Sequence, residues 1–239
     1  MTVAKQDKAL FDLHSAGIHV LPRFLAQEAC SLLCREVDGL LARYKSYVQV
    51  DAVKADMRLF GADRVSLMLA AIFNDPFVRK VVERYEGACT DGVAMVNRVT
   101  FQPGNQGSGQ GWHRDNIERK QTKAIIYLND VADHNGPFEY ISGSASPSNS
   151  LKVPPLKGRQ STGGRFSAAE VQGFVDSRDD IVRRTVTGPA GTLILADTHG
   201  IHRGAPLTKG SRYAATLYLW TSNDLIPSDL EPYFLPRME

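Results

Sequence analysis

Cysteine is scarce in this 239-residue chain, which holds only Cys30, Cys34 and Cys89. An odd and sparse set of cysteines argues against a disulfide scaffold and is typical of proteins kept in a reducing compartment. The first ten residues carry charges without an apolar core, and no apolar run approaches the length that spans a membrane. These absences predict a cytoplasmic protein that does not insert into a membrane.

An excess of charge of either sign is also missing, because 28 Lys and Arg residues stand against 26 Asp and Glu residues. Sequence-independent binding to nucleic acid needs a general basic field, so we expect no nucleic-acid partner. The chain contains neither a G-x-S-x-G segment nor a phosphate-binding P-loop motif. The sequence therefore offers no support for acyl or phosphoryl transfer.

The length suits one domain over residues 1–239, with enough chain to bury a sizeable core. Helical patterns come first. Apolar residues from Leu32 to Leu41 fall on one helical face, and Asp75 followed by Pro76 is typical of a helix start. Short alternating patterns typical of strands follow in the second half. This order predicts an α+β protein whose sheets form a sandwich or a barrel.

Two segments lack a regular hydrophobic period. Residues 45–64 gather charge, and we expect a mobile loop there. Residues 145–164 are rich in serine, proline, lysine and glycine, a composition that predicts a long surface excursion rather than a second domain.

One short segment, Gly111-Trp112-His113-Arg114-Asp115, combines two groups that bind metal ions. In extended backbone His113 and Asp115 point to the same side, so both side chains could hold one ion. A glycine-rich connection, residues 102–111, leads into this segment. An H-x-D pattern alone proves little, because most such patterns are ordinary surface chemistry.

A second histidine cluster, with His199 and His202, lies far downstream. Three residues of extended chain place these histidines on opposite sides, so only one of them can join His113 and Asp115. Two histidines and a carboxylate leave about half of an octahedral metal's positions open, as in non-haem Fe(II) oxygenases. Arg212 follows His202 by ten residues. Taken singly, His202 could instead be solvated and Arg212 an ordinary edge-strand cation.

In their joint order these motifs resemble the phytanoyl-CoA dioxygenase-like branch of the Fe(II)/2-oxoglutarate oxygenases, over most of the chain. The segments that carry the resemblance are Gly17-Ile18-His19-Val20-Leu21-Pro22, Trp112-His113-Arg114-Asp115, Gly136-Pro137-Phe138-Glu139-Tyr140-Ile141-Ser142-Gly143-Ser144, Gly191-Thr192-Leu193, His202-Arg203-Gly204 and Arg212. Ser142 departs from the family's usual proline, and Ala145 from a frequent histidine. Neither departure falls in the metal motif, so both bear on the substrate rather than on the reaction.

The resemblance implies a double-stranded β-helix, a jelly-roll-like barrel with helices packed on one side. It also implies that His113, Asp115 and His202 are the iron ligands, since the family's spacing to the arginine favours His202 over His199. Arg212 would bind the distal carboxylate of 2-oxoglutarate, a role that suits a planar fork of donors.

Two predicted strands supply further candidates. Arg98 and Thr100 share one strand face, and Lys123 lies on a face of the following strand. If both faces point inward, Thr100 and Lys123 stand where relatives place polar groups near 2-oxoglutarate. Arg98 would then be available for an anionic group of the substrate. A solvent-facing position is an equal alternative for Lys123.

The implied reaction is oxidation of a small-molecule metabolite by O2 with Fe(II) and 2-oxoglutarate, releasing succinate and carbon dioxide. Related halogenases have a small residue in place of the carboxylate, so Asp115 favours hydroxylation, desaturation or another oxidation. A different class of function is a non-catalytic barrel that binds a metal or a small carboxylate. A zinc hydrolase is a third hypothesis, although no general base stands at a known spacing from these ligands.

Overall fold

The computed structural model describes residues 2–87, 89–115, 121–146, 164–221 and 231–236. Helices occupy much of the first part of the chain, and one more helix comes late. They are α1 (Val3–Ala16), α2 (Gln27–Arg43), α3 (Leu67–Phe73), α4 (Pro76–Glu86) and α5 (Ala168–Asp176), with short 3-10 turns at Lys45–Tyr47, Ala62–Arg64 and Glu231–Tyr233. The helices predicted from the apolar face at Leu32–Leu41 and from Asp75-Pro76 are thus present.

The strands of the described residues form two antiparallel sheets. They are β1 (Ile18–Leu21), β2 (Gln49–Val50), β3 (Asp56–Phe60), β4 (Cys89–Thr100), β5 (Thr122–Tyr127), β6 (Phe138–Ser142), β7 (Val182–Val186), β8 (Leu193–Asp197), β9 (His202–Gly204) and β10 (Ser211–Thr221). The large sheet has the order β1-β8-β5-β10-β4-β3-β2, and the small sheet has the order β7-β6-β9. Late strands thus lie between early ones, so residues distant in sequence meet in the sheets.

Both faces of the large sheet are buried around its central strands, because alternate residues of these strands enter different cores. On β5, Ala124 and Ile126 pack with helices α1 to α4, whereas Ile125 and Tyr127 pack with Tyr140 of the small sheet. The helices therefore cover one side of the large sheet, and the small sheet faces the other side. This arrangement confirms the predicted α+β fold, a double-stranded β-helix with helices packed on one side.

The prediction of a mobile loop at residues 45–64 is wrong, because this segment contributes β2 and β3 to the large sheet. Strand β3 pairs with β4, and Arg58 stands opposite Asn97. Two of its three inward positions are charged, and the third is Phe60: Arg58 donates hydrogen bonds from Nε and Nη2 to Asp56 Oδ2 at 2.8 and 2.6 Å. An internal ion pair replaces the apolar residues that normally reveal a strand's alternation.

The predicted surface excursion at residues 145–164 falls largely on residues 147–163, which lie outside the described part of the chain. Helix α5 follows it and begins with a capping box between Ser167 and Glu170. Among the described residues, no helix combines the length and the apolar character needed to cross a membrane.

The start of α4 depends on one side chain. Asp75 Oδ1 accepts hydrogen bonds from the backbone N–H groups of Phe77 and Val78 at 2.9 and 3.1 Å. We predict that Asp75→Ala lowers the free energy of unfolding by about 1 kcal/mol, because these two N–H groups lose their cap. Urea denaturation measures the change. Asp75→Asn keeps an acceptor oxygen and should retain most of the stability; an equal loss in both variants would contradict the capping explanation.

Candidate metal centre

Two backbone hydrogen bonds bring the distant motif segments together. The N–H of His113 donates to the carbonyl of His202, and the N–H of His202 donates to the carbonyl of His113, both at 2.9 Å. These residues are 89 positions apart in sequence, yet the reciprocal pair sets them directly opposite one another. Asp115 is held in the same region, because its N–H donates to the carbonyl of Thr198 at 3.1 Å.

The side chains of His113, Asp115 and His202, here called the metal triad, point their ligating atoms at one another. The Nδ1 atoms of the two histidines lie 2.9 Å from the carbonyls of Gly111 and Gly200. A proton on each Nδ1 satisfies these contacts and leaves the Nε2 lone pair for a ligand. The Nε2 atoms lie 3.7 and 3.8 Å from the carboxylate oxygens of Asp115.

The triad fits a metal ion. All of its ligating atoms lie within 4.8 Å of one another, and His202 Nε2 is buried without a hydrogen-bond partner among the described residues. A buried nitrogen lone pair without a donor is costly unless a ligand occupies it. Two imidazoles and one carboxylate are a donor set that divalent iron accepts while keeping open positions.

Burial and Lys123 control the charges of the triad. Burial lowers the pKa of His113 to about 4 and lowers the pKa of His202 well below its ordinary value, because an imidazolium loses hydration inside the protein. Burial alone would raise the pKa of Asp115. The Lys123 ammonium, 2.5 Å from Asp115 Oδ2, and the two histidines hold that pKa below its ordinary value instead. At neutral pH the triad thus presents two neutral imidazoles and one carboxylate, the states that bind metals.

Arg212 lies buried on β10, close to the strand that carries His202. Its Nη1 donates to the carbonyl of Gly136, whereas its Nε has no hydrogen-bond partner among the described residues. A Cβ atom at Gly204 would stand 3.1 Å from Arg212 Nη1, so β9 passes directly beside the guanidinium. A buried guanidinium with an unused donor can bind a carboxylate strongly.

The family model of phytanoyl-CoA dioxygenase matches residues 13–214 of the chain. The chain belongs to the phytanoyl-CoA dioxygenase family. This membership confirms the resemblance expected from the motifs, and it makes the protein an enzyme of the oxygenase type. A comparison with curated proteins gave no match.

Several solved structures share the fold of this phytanoyl-CoA dioxygenase family member. The epimerase SnoN from nogalamycin biosynthesis has a TM-score of 0.71 at 17% identity, over 92% of this chain and 84% of SnoN. EctD from S. alaskensis has a TM-score of 0.67 at 17% identity, over 92% of this chain and 77% of EctD. HygX from Streptomyces hygroscopicus has a TM-score of 0.63 at 17% identity, over 96% of this chain and 94% of HygX. At such identities the likeness shows the fold.

The structure of this family member brings Lys123 and Arg212 to the inner side of the large sheet but does not bring Arg98 or Thr100 there. Arg98 lies on the helix-facing side of β4, where its Nη1 donates to Asp38 Oδ1 of α2 at 2.6 Å. Thr100 shares that face and is exposed. The expectation that both residues line the site is therefore corrected. The alternation of side chains along a strand shows which residues share a face, but it does not show which of the two faces points towards the site.

Sequence reasoning missed a buried polar group on the inner side of β3 and β4. Asn97 Nδ2 donates to Asp56 Oδ1 at 3.0 Å. Arg58 Nη2 and Asn97 Nδ2 each lie 3.4 Å from Ser108 Oγ, which belongs to the glycine-rich connection before the H-x-D motif. The signal that could have revealed this group is Asn97 at the end of the apolar run of β4, residues 93–96.

The structure also separates the two downstream histidines. His199 lies in the turn before β9, where its N–H donates to Asp197 Oδ1 at 3.0 Å. We predict that His202→Ala abolishes Fe(II) binding, because it removes one of three ligands, whereas His199→Ala retains binding. Anaerobic equilibrium dialysis with iron quantification measures both variants, and circular dichroism checks that both are folded. Loss of iron in His199→Ala alone would reject the assignment of His202.

We also expect the metal affinity to change little when the pH falls from 7.5 to 5.5. Metal binding needs neutral imidazoles. With an ordinary histidine pKa of about 6.5, lowering the pH from 7.5 to 5.5 would weaken binding roughly tenfold for each histidine. Because burial lowers the pKa of His113 to about 4 and that of His202 well below its ordinary value, both stay neutral over this range. We predict a change of less than about threefold in the Co(II) dissociation constant. A hundredfold weakening would show that the histidines titrate normally.

Proposed function

We propose that this protein is an Fe(II)- and 2-oxoglutarate-dependent dioxygenase that hydroxylates or otherwise oxidises a small molecule, acting as one domain over residues 1–239. The observation that carries the proposal is the metal triad together with Arg212, a buried cation that lies beside the strand of His202 and whose Nε has no hydrogen-bond partner among the described residues. Two histidines and one carboxylate would hold the metal and would leave some of its coordination positions open.

In this role His113, Asp115 and His202 hold the iron. The Nδ1 contacts with backbone carbonyls fix the ring of each histidine, so that Nε2 stays directed at the ion. When bound, iron and 2-oxoglutarate supply the oxidising power of O2, with release of succinate and carbon dioxide. The presence of Asp115 keeps the ligand set complete, which favours hydroxylation or a related oxidation over halogenation.

Arg212 binds the distal carboxylate of 2-oxoglutarate. The guanidinium stays charged when buried, and its Nε is unused by the described residues. Lys123 keeps Asp115 in the form that binds a metal, because its ammonium contacts the carboxylate and lowers its pKa. With Asp115 bound to a metal, the same ammonium is available to a carboxylate of the cosubstrate.

The small-molecule substrate enters along the inner face of β3, β4 and β10. This face carries a buried apolar cluster of Phe60, Val93 and Met95, against which Tyr218 packs, and Phe234 from the end of the chain joins the same cluster. Lys123 Nζ lies 4.7 Å from the centre of the Tyr218 ring, so this wall adjoins the metal triad. Arg58 and Asn97 place polar groups beside it. A substrate with one apolar face and hydrogen-bonding groups at one edge matches this lining.

Relatives of the fold support the choice of cofactors. SnoN was solved in complex with Fe3+, alpha ketoglutarate and nogalamycin RO, HygX with nickel and 2-oxoglutarate, and EctD with bound Fe. Each of these ligands belongs to the protein in which it was seen. Together with the family membership they favour iron and 2-oxoglutarate over the zinc of a hydrolase.

The test is an anaerobic titration with Fe(II) and 2-oxoglutarate, followed by the visible charge-transfer band of the chelated complex. We predict a band in the wild type. In Arg212→Ala the affinity for 2-oxoglutarate should fall by about ten- to a hundredfold, because a hydrogen bond to a charged group contributes roughly 1.5–3 kcal/mol.

Arg98→Ala is the matched control. It removes the same charge from the opposite face of the sheet, and we expect wild-type affinity for 2-oxoglutarate. An equal loss in both variants would show that general charge, rather than the position of Arg212, governs the affinity. Iron binding without any band in the wild type would reject the dioxygenase and favour a non-catalytic metal-binding barrel.

A further inference from the structure

A cluster of aromatic and charged side chains lies behind the metal triad, and the reaction proposed above does not use it; its aromatic ring and its carboxylate are buried, and its two cations lie at the edge. Its members are Trp112, Glu139, Arg183 and Arg203, here called the Trp112 bracket. The Cζ atom of Arg203 lies 4.4 Å from the centre of the Trp112 ring, and that of Arg183 lies 5.4 Å from it. Both guanidinium groups are thus within range of a cation–π contact with one buried indole.

Glu139 anchors the two cations. Its Oε2 accepts from Arg203 Nε at 2.6 Å, and its Oε1 accepts from Arg183 Nη2 at 2.7 Å and from Thr185 Oγ1 at 3.2 Å. Burial alone would raise the pKa of Glu139, but the hydrogen bonds from Arg183 and Arg203 lower it. The carboxylate is therefore ionised, and it holds Arg203 in one orientation over the indole.

The chain connects this cluster to the metal ligands through single peptide steps. Trp112 precedes His113, and Arg203 follows His202. On β9, His202 stands opposite Tyr140 of β6 and Arg203 stands opposite Glu139. Adjacent residues of a strand project to opposite sides. The side chains of the bracket thus contact one another on one side of these two segments, and the imidazoles of His113 and His202 lie on the opposite side.

The composition of the bracket is costly for stability alone. Glu139 is 5% exposed and Arg203 17% exposed, so burying this ion pair carries a desolvation penalty, and well-packed apolar residues often stabilise a protein equally or more. Arg183 is 42% exposed and adds little to that penalty. Trp112 already packs against Ile141 and Ile201. A role in setting geometry explains why a planar, oriented cation lies over the ring instead of a further aliphatic side chain.

We infer that the Trp112 bracket is a positioning device that sets the separation and tilt of His113 and His202, whose ring centres lie 4.3 Å apart. The inference rests on the proposed function, because it presupposes that both histidines are metal ligands. Arg203 and Trp112 are positioning residues: they act on the ion only through the two histidines. Loss of such support for metal ligands typically weakens metal affinity about 10–100-fold.

The experiment is a titration of the full-length, metal-free protein with Co(II), followed by its visible absorption, which reports both affinity and ligand geometry. Arg203→Ala and Trp112→Leu should each raise the dissociation constant about 10–100-fold and alter the absorption bands. The double variant should be no weaker than the weaker single variant, because both changes remove the same contact. Arg184→Ala is the matched control, since Arg184 neighbours Arg183 but donates to Ser142 Oγ at 2.6 Å; it should keep the wild-type constant.

A merely structural role predicts a different result, in which thermal stability falls while the folded protein binds Co(II) with wild-type affinity and bands. That result, or effects that multiply in the double variant, overturns the bracket while leaving the metal site intact. If Arg203→Ala does not fold, Arg203→Lys decides: it keeps a charge for Glu139 but loses the planar stack, so weakened affinity supports the bracket and wild-type affinity overturns it. Absence of Co(II) binding in the wild type overturns the metal site, and the bracket with it.

Discussion

The reciprocal backbone hydrogen bonds between His113 and His202 are the constraint on which the candidate site depends. They join residues that are 89 positions apart, and the chain entropy lost on closing this loop must be offset by the sheets on either side. Once the two backbones are paired, their imidazoles stand side by side, and the H-x-D spacing carries Asp115 to the same place. Although the ligands come from two remote segments, the backbone pairing of His113 with His202 is thus enough to bring all three side chains together.

Electrostatics then gives these groups the protonation states in which they bind a metal. The burial that keeps both imidazoles neutral also acts to raise the pKa of Asp115, and Lys123 at 2.5 Å is the largest of the charges that lower it again. One buried ammonium therefore allows a single environment to favour neutral histidines and an ionised carboxylate together. Without a metal, the pair of Asp115 and Lys123 also avoids leaving either charge alone in the interior.

The meeting of His113, Asp115 and His202 could be predicted from the sequence, because H-x-D is a contiguous motif and His202 and Arg212 follow it at the family's spacing. The assignment of Arg98 and Thr100 to the inner face failed for a physical reason. Both faces of β4 are buried along most of its length, so the pattern of apolar and polar residues does not show which face points towards the site. Strand β3 was missed because the ion pair of Asp56 and Arg58 occupies two of its three inward positions. Such pairs are recognisable only after the neighbouring strand is known.

The charges on the inner side of the large sheet link the two proposed ligands to one another. Lys123, Arg58 and Arg212 are cations there, and Asp115 and Asp56 are the carboxylates paired with the first two. These five side chains leave one positive charge before any ligand binds. A divalent metal raises that excess in a poorly solvated interior, and a dianionic 2-oxoacid restores it. Each ligand therefore strengthens binding of the other, and by linkage the coupling is equal in both directions. The inner face of the barrel thus favours the metal and the dianion as a pair over either one alone.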